Sequence, residues 1–193
     1  MSALLEMSEG RCRNVLRHYL RRQGLPLPDH RHLQQIIDTV LMASWDAEPC
    51  VHWPGAEVRR YRNRLYAMPP LTAHDVRQVI PWDLRQPLEL PGLGKRLVCR
   101  PGIGQGIKQS LCAGREVTVR FRQGGERCRL PGRTESHRLK HLLQEQGVPP
   151  WRRERIPLIY VGGDLAQVAG YWTCEPFLAG REDAGLAVSI EPA

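Results

Sequence analysis

Val117-Thr118-Val119-Arg120-Phe121-Arg122 alternates apolar and polar residues, and its reading decides the fold. Val117, Val119 and Phe121 share one face while Thr118, Arg120 and Arg122 share the other, the period of a strand buried on one side. Downstream, Gly124-Gly125 breaks the strand. Leu139, Leu142 and Leu143 then recur at helical spacing from about Ser136, with Gly147 placed to end the helix. Val148-Pro149-Pro150-Trp151 follows, and apolar runs at 158–161, 167–170 and 187–190 return to strand composition. Upstream, 86–90 and 95–100 flank a Pro91-Gly92-Leu93-Gly94 turn, and a glycine-rich bend occupies 101–106. A mainly β domain holding one or two helices is expected over 72–193.

Residues 1–71 read differently. Cys12, Val15, Leu16, Tyr19 and Leu20 recur at three and four with Arg11, Arg13, Arg17, Arg21 and Arg22 between them, an amphipathic helix over 8–22 that Gly24 stops. Asp29 is placed to accept from the free amides of a second helix, whose stripe is Leu33, Ile36, Ile37, Val40 and Leu41. Two such helices suggest an antiparallel pair. Cys50–Trp53, Val58–Tyr61 and Arg64–Met68, separated by Pro54-Gly55 and Arg62-Asn63, predict a small antiparallel β meander. Met68-Pro69-Pro70 and the polar run 72–78 sustain neither period, so a linker is expected there, with a helical domain over 1–71 and a β-rich one over 72–193. The fold class is α+β.

Composition narrows the function. Sixteen prolines and eighteen glycines disfavour a helical bundle, and 41% apolar residues disfavour wholesale disorder. The six cysteines, at 12, 50, 99, 112, 128 and 174, never stand closer than 13 residues, which excludes zinc ribbons and Cys-x-x-Cys redox sites. Reduced thiols are expected. Glu6 and Glu9 replace the basic start of an export signal, and no run approaches 18 apolar residues, so a cytoplasmic chain without a membrane partner is expected.

The formal charge of +8 tilts the chain toward polyanions, and its distribution says where. Residues 115–155 carry +6, whereas 156–193 carry −4. Only Lys95, Lys108 and Lys140 among the 28 cations are lysines. Arginine's planar fork suits phosphate, although a GC-rich genome produces the same bias without function. The interleaving of Arg120, Arg122, Arg127, Arg129, Arg133, Arg138, Lys140, Arg152, Arg153 and Arg155 with turn and helix signals points to guanidiniums spanning adjacent phosphates of a nucleic acid. The competing reading is a solvated face. A second cluster, Arg59-Arg60-Tyr61-Arg62-Asn63-Arg64, either stacks on nucleobases or marks a strand. Trp151 reads as a core anchor.

Other chemistry finds little support. Gly102-Ile103-Gly104-Gln105-Gly106 lacks phosphate-loop spacing, and no Gly-x-Ser-x-Gly elbow occurs. His137 and His141 stand at i, i+4 on the expected helix, but no acidic or thiol partner sits beside them at metal spacing.

Gly124-Gly-Glu-Arg-Cys-Arg-Leu-Pro-Gly-Arg133, Leu139-Lys-His-Leu-Leu-Gln-Glu-Gln-Gly-Val-Pro-Pro-Trp151 and Pro157-Leu-Ile-Tyr160 together resemble the C-terminal domain of bacterial tRNA(Ile)-lysidine synthetases. The helix pair with Arg59-Arg60-Tyr61 and Leu65-Tyr66 is similar to the middle substrate-binding domain of the longer proteobacterial form. The resemblance implies an ATP-dependent ligase that joins the ε-amine of lysine to C2 of the wobble cytidine of an isoleucine tRNA with a CAU anticodon. ATP, Mg and L-lysine serve that whole enzyme, whose catalytic N-terminal domain carries a Ser-Gly-Gly-x-Asp-Ser loop. Gly124-Gly125-Glu126 and Gly162-Gly163-Asp164 lack the flanking serines. The chain opens on a helix, so the resemblance implies accessory domains alone, with no catalytic residue and no cofactor of their own. They would hold tRNA beside the catalytic domain, the helical part toward the anticodon and the β-rich part toward the acceptor stem. A homodimer stays open. The alternative is a protein-interaction module that docks a catalytic partner.

Overall fold

In the computed structural model, which describes residues 2–44 and 47–193, the arginine-flanked stripe is helix α2 (Glu9–Arg22), preceded by a single turn, α1 (Ser2–Leu5). Cys12, Leu16 and Leu20 are buried, while Val15 is left outside the stripe. Gly24 ends the helix in the left-handed region at φ 68°, so that Leu25 N–H reaches Leu20 O (3.2 Å) and Gly24 N–H reaches Arg21 O (3.0 Å). Those two bonds satisfy carbonyls that the helix end would otherwise orphan. Helix α3 (His30–Gln35) starts as expected, with Asp29 accepting from His32 N–H at 2.8 Å.

The second helix departs from expectation halfway along. Residues Ile36–Leu41 form a π-helical segment, in which Met42 N–H bonds to Ile37 O, five residues back. The wider turn places Val40 and Leu41, four and five residues after Ile36, on the same buried side as Ile36. Strands β1 (Cys50–Trp53), β2 (Ala56–Tyr61) and β3 (Arg64–Met68) form the meander in the order β1-β2-β3. Val51, Trp53, Ala56 and Val58 join the helix residues in one core. Gly55 allows its turn to sit under Pro26, because a Cβ there would lie 2.9 Å from Pro26 Cγ.

The chain divides into two compact units, Met1–Leu71 and Thr72–Ala193. The second contains a five-stranded antiparallel sheet, a four-stranded antiparallel sheet and a short ribbon. In chain order its strands are β4 (Ile80–Pro81), β5 (Leu88–Leu90), β6 (Lys95–Ile103), β7 (Ile107–Lys108) and β8 (Val117–Arg120). They continue as β9 (Arg127–Cys128), β10 (His137–Arg138), β11 (Leu158–Val161), β12 (Asp164–Val168), β13 (Trp172–Thr173) and β14 (Ala184–Pro192). The larger sheet runs β13-β12-β11-β8-β4 and the smaller runs β5-β6-β14-β7. Val119, Phe121, Ile159 and Ala166 meet Leu97, Ile107 and Val188 in a shared core, as the alternation around Val119 demands.

Several expectations need correction. The helix expected from Ser136 is α5 (Leu139–Glu145), because His137 and Arg138 belong to β10 and pair with Cys128 and Arg127. His137 and His141 therefore share no helix face. The two-residue strands β4, β7, β9, β10 and β13 are too short to show a period, and so do α4 (Gln109–Cys112) and α6 (Pro150–Arg153) escape a periodicity reading. Gly147 does stop α5, at φ 71°, with Val148 N–H bonded to Leu143 O (2.9 Å) and Gly147 N–H to Gln144 O (3.0 Å). Leu139, Leu142, Leu143 and Val148 pack with Leu158 and Val168 in a second core of this unit. The thiols are not all reduced: Cys128 and Cys174 form a disulfide across 46 residues, their Cα atoms 5.5 Å apart. The two segments are held together beside it by Glu175 N–H donating to Arg129 O at 2.8 Å, which linear spacing could not show.

Candidate nucleic-acid interface

The arginines singled out by sequence fall into two physically distinct groups. One group is consumed by the fold. Arg60 of β2 donates to the carbonyls of Val40, Leu41, Ala43 and Ser44 at 2.7–3.2 Å, closing the end of the π segment. Arg59 holds the buried Glu57 carboxylate at 2.8 Å, and that bond keeps its own proton more firmly than an ordinary guanidinium. Arg120 donates to Thr118 Oγ1 (3.1 Å) and lies over the Tyr160 ring at 4.7 Å. Arg122 sits 3.8 Å from Glu126, whose other oxygen accepts from Gln123 and Gly124 N–H and so shapes the Gly124-Gly125 turn. Arg153 is 7% exposed, its Nε donating to Val148 O at 2.8 Å, which removes it from any surface. Arg155 pins the start of the second unit, donating to Thr72 O, Thr72 Oγ1 and Gly92 O at 2.8–3.0 Å.

The other group projects into solvent. Arg127, Arg129, Arg133, Arg138, Lys140 and Arg152 are all exposed, on β9, β10, the connection between them, α5 and α6. Arg127 is oriented by Ser136, with Nε 3.0 Å from its hydroxyl, and Arg133 lies 3.6 Å from the exposed Glu145. Trp151, the expected core anchor, is 9% exposed.

The acidic tail has a different task from the one its charge suggests. Glu191 of β14 lies across the sheet from Arg96 (3.4 Å) and Arg100 (2.7 Å), and Asp183 lies 2.9 Å from Lys108. Hydrogen bonds from Arg100 and Lys108 hold both carboxyls below the usual carboxylate range. The tail thus neutralises cations of β6 and β7, whereas Arg129, Arg138 and Lys140 lie in no ion pair among the described residues.

A recess of about 560 Å³ opens beside Arg127 and Arg129. Arg115, Arg127 and Arg129 border it, and Cys128, Cys174 and Phe177 are among its lining residues. Arg115 was not singled out from the sequence, since the recess collects residues from 111 to 177 that no local pattern unites. Its only linear signal is membership of the basic segment.

The glycines at 162–163 and 106 serve a turn and close packing. Gly162-Gly163 is the tight turn of the β11–β12 hairpin, not a strand-to-helix loop. Gly106 is required by packing, because a Cβ there would lie 2.1 Å from Leu186 O. Among the described residues no group of three His, Cys, Asp or Glu side chains could hold a metal, and no helix is long and apolar enough to cross a membrane.

Fold and surface define a two-unit α+β protein whose second unit carries exposed arginines along 127–152, with Arg127 and Arg138 opposite each other on paired strands. Residues 1–66 match the TilS substrate binding domain and 117–190 the TilS substrate C-terminal domain. The chain is 42% identical to the tRNA(Ile)-lysidine synthase of Coxiella burnetii over 98% of its own length and 42% of that protein's. It is 35% identical to the enzyme of the same name from Alkalilimnicola ehrlichii, over 93% of this chain and 40% of that one. A solved structure described as a TILS C-terminal domain overlaps 60% of this chain and 96% of its own, at 21% identity and a TM-score of 0.48. The chain belongs to the tRNA(Ile)-lysidine synthase family and corresponds to its substrate-binding and C-terminal domains. It spans about two fifths of the length of these relatives.

Proposed function

We propose that this chain is the tRNA-holding part of a cytoplasmic lysidine-forming ligase, and that it grips RNA phosphates through Arg127, Arg129, Arg133, Arg138, Lys140 and Arg152. ATP activation and lysine transfer to the wobble cytidine of tRNA(Ile) with a CAU anticodon then belong to a catalytic domain outside these residues. The observation that carries the reading is the concentration of exposed cations over 127–152, of which Arg129, Arg138 and Lys140 lie in no ion pair among the described residues, whereas Arg96, Arg100 and Lys108 of the same unit meet Glu191 and Asp183. Cations that neutralise phosphates release counterions, so binding must weaken steeply with salt. The test is a gel shift of the whole chain with tRNA at 50 to 300 mM salt. A salt-sensitive shift is expected, and the absence of a shift at 50 mM refutes the reading. Arg59, Arg60, Arg120, Arg122, Arg153 and Arg155 are left out of the interface, because their guanidiniums serve the fold.

A further inference from the structure

The recess bordered by Arg115, Arg127 and Arg129 is far larger than a phosphate alone requires, and at about 560 Å³ it lies in the range that encloses small ligands. Its lining carries three kinds of chemistry. The first is guanidinium. Arg127 commits Nε and Nη2 to Ser136, which fixes the plane of the fork and leaves other donors. Arg115 lies 6.0 Å from the Phe177 ring and against Gly162, where a Cβ would fall 2.6 Å from its Nε. The second is apolar surface from Leu111, Leu165, Pro176 and Phe177. The third is a pair of carboxylates, Asp164 and Glu175, of which Asp164 is 70% exposed and only 3.6 Å from Arg115 Nη2.

A nucleotide presents the matching three parts. Its phosphate suits arginine forks, its base suits an apolar wall, and its ribose hydroxyls can donate to carboxylates, which only accept. A nucleotide inside a stem offers neither a free base face nor a vicinal diol, whereas an unpaired 3′ end offers both. We propose that the recess takes the unpaired 3′-terminal nucleotide of an RNA, with its phosphate on the arginines and its diol on Asp164 and Glu175. This rests on the RNA-binding reading above. A free nucleoside monophosphate shares the chemistry, so the experiment must separate the two sources.

The whole chain is titrated against three labelled RNA hairpins: a blunt one, one with a four-nucleotide 3′ overhang, and the overhang hairpin after periodate cleavage and reduction of its terminal diol. The overhang is expected to tighten binding roughly tenfold, about the worth of one charge-assisted hydrogen bond. Loss of the diol should remove part of that gain, and millimolar AMP should abolish it while sparing the blunt hairpin. Arg115→Gln and Asp164→Asn, both at exposed side chains, should each reduce the gain and leave blunt-hairpin affinity in place. Equal affinity for blunt and overhang RNA overturns the proposal and leaves the RNA-binding face standing. AMP binding without an overhang gain assigns the recess to a free nucleotide and also overturns it. If neither hairpin binds, both readings fall.

Discussion

Replacing three exposed cations, in Arg129→Gln/Arg138→Gln/Lys140→Gln, should weaken RNA binding far more than replacing three cations that already face carboxylates. The charge-matched control is Arg96→Gln/Arg100→Gln/Lys108→Gln. The first set lies in no ion pair among the described residues, whereas the control set is met by Glu191 and Asp183 at 2.7–3.4 Å. Each phosphate neutralised contributes about 0.7 to 0.9 to the slope of log affinity against log salt, the lower value for single strands. Loss of three contacts should therefore flatten the slope by about 2 to 3 and cost roughly 100- to 500-fold in affinity at 0.1 M salt relative to 1 M. The control removes the same net charge, but its pairs are exposed and worth at most about 1 kcal/mol each, so it should fold normally and change the slope by less than 1. The assay is fluorescence anisotropy of labelled tRNA at five salt concentrations, with far-UV circular dichroism verifying both folds. Equal effects from the two triples would refute the reasoning, because net charge and not placement would then govern binding.

Three further outcomes follow from the geometry. Arg60→Ala removes four carbonyl contacts at the end of the π segment and should destabilise the first unit by about 2 to 3 kcal/mol in urea unfolding, with no change in the salt slope. His74, held edge-on to Phe121 at 4.2 Å, has its pKa lowered first by burial and then by the Arg155 charge. The folded state thus prefers the neutral ring, so stability should be full above its ordinary pKa of about 6.5 and decline as pH falls through it. His74→Phe should flatten that decline in unfolding midpoints measured between pH 5 and 7.5. Alkylation of the denatured, unreduced chain should label the four free cysteines and reach all six only after reduction, and reduction should cost about 2 to 4 kcal/mol of stability.

How much of this was legible in the sequence depends on the range of the interaction. Helix α2, the Asp29 cap, the Gly24 and Gly147 stops and the Pro54-Gly55 turn are local, set within four or five residues, and each lies where the pattern puts it. The π segment escapes because its apolar spacing fits an α-helix almost as well. The disulfide and the recess escape because each joins positions tens of residues apart. The arginines form the sharpest case. Arg60 and Arg152 carry the same charge and both stand in basic clusters, yet one is fastened to four carbonyls and the other is exposed. Charge shows in composition, but the partner of a charge shows only when the chain is folded.

Strand β14 lies between β6 and β7, pairing with both although some 80 residues of chain separate it from them. During synthesis, one edge of β6 and the paired edge of β7 stay without their partner until residues 184–192 arrive. Among the described residues of the first unit, each strand pairs with its neighbour in sequence. Folding on the ribosome is therefore staggered, with the helical unit free to settle early and the arginine-bearing unit the last to acquire its shape. An arrested or prematurely ended chain would expose unpaired β edges, the condition that invites aggregation and capture by chaperones.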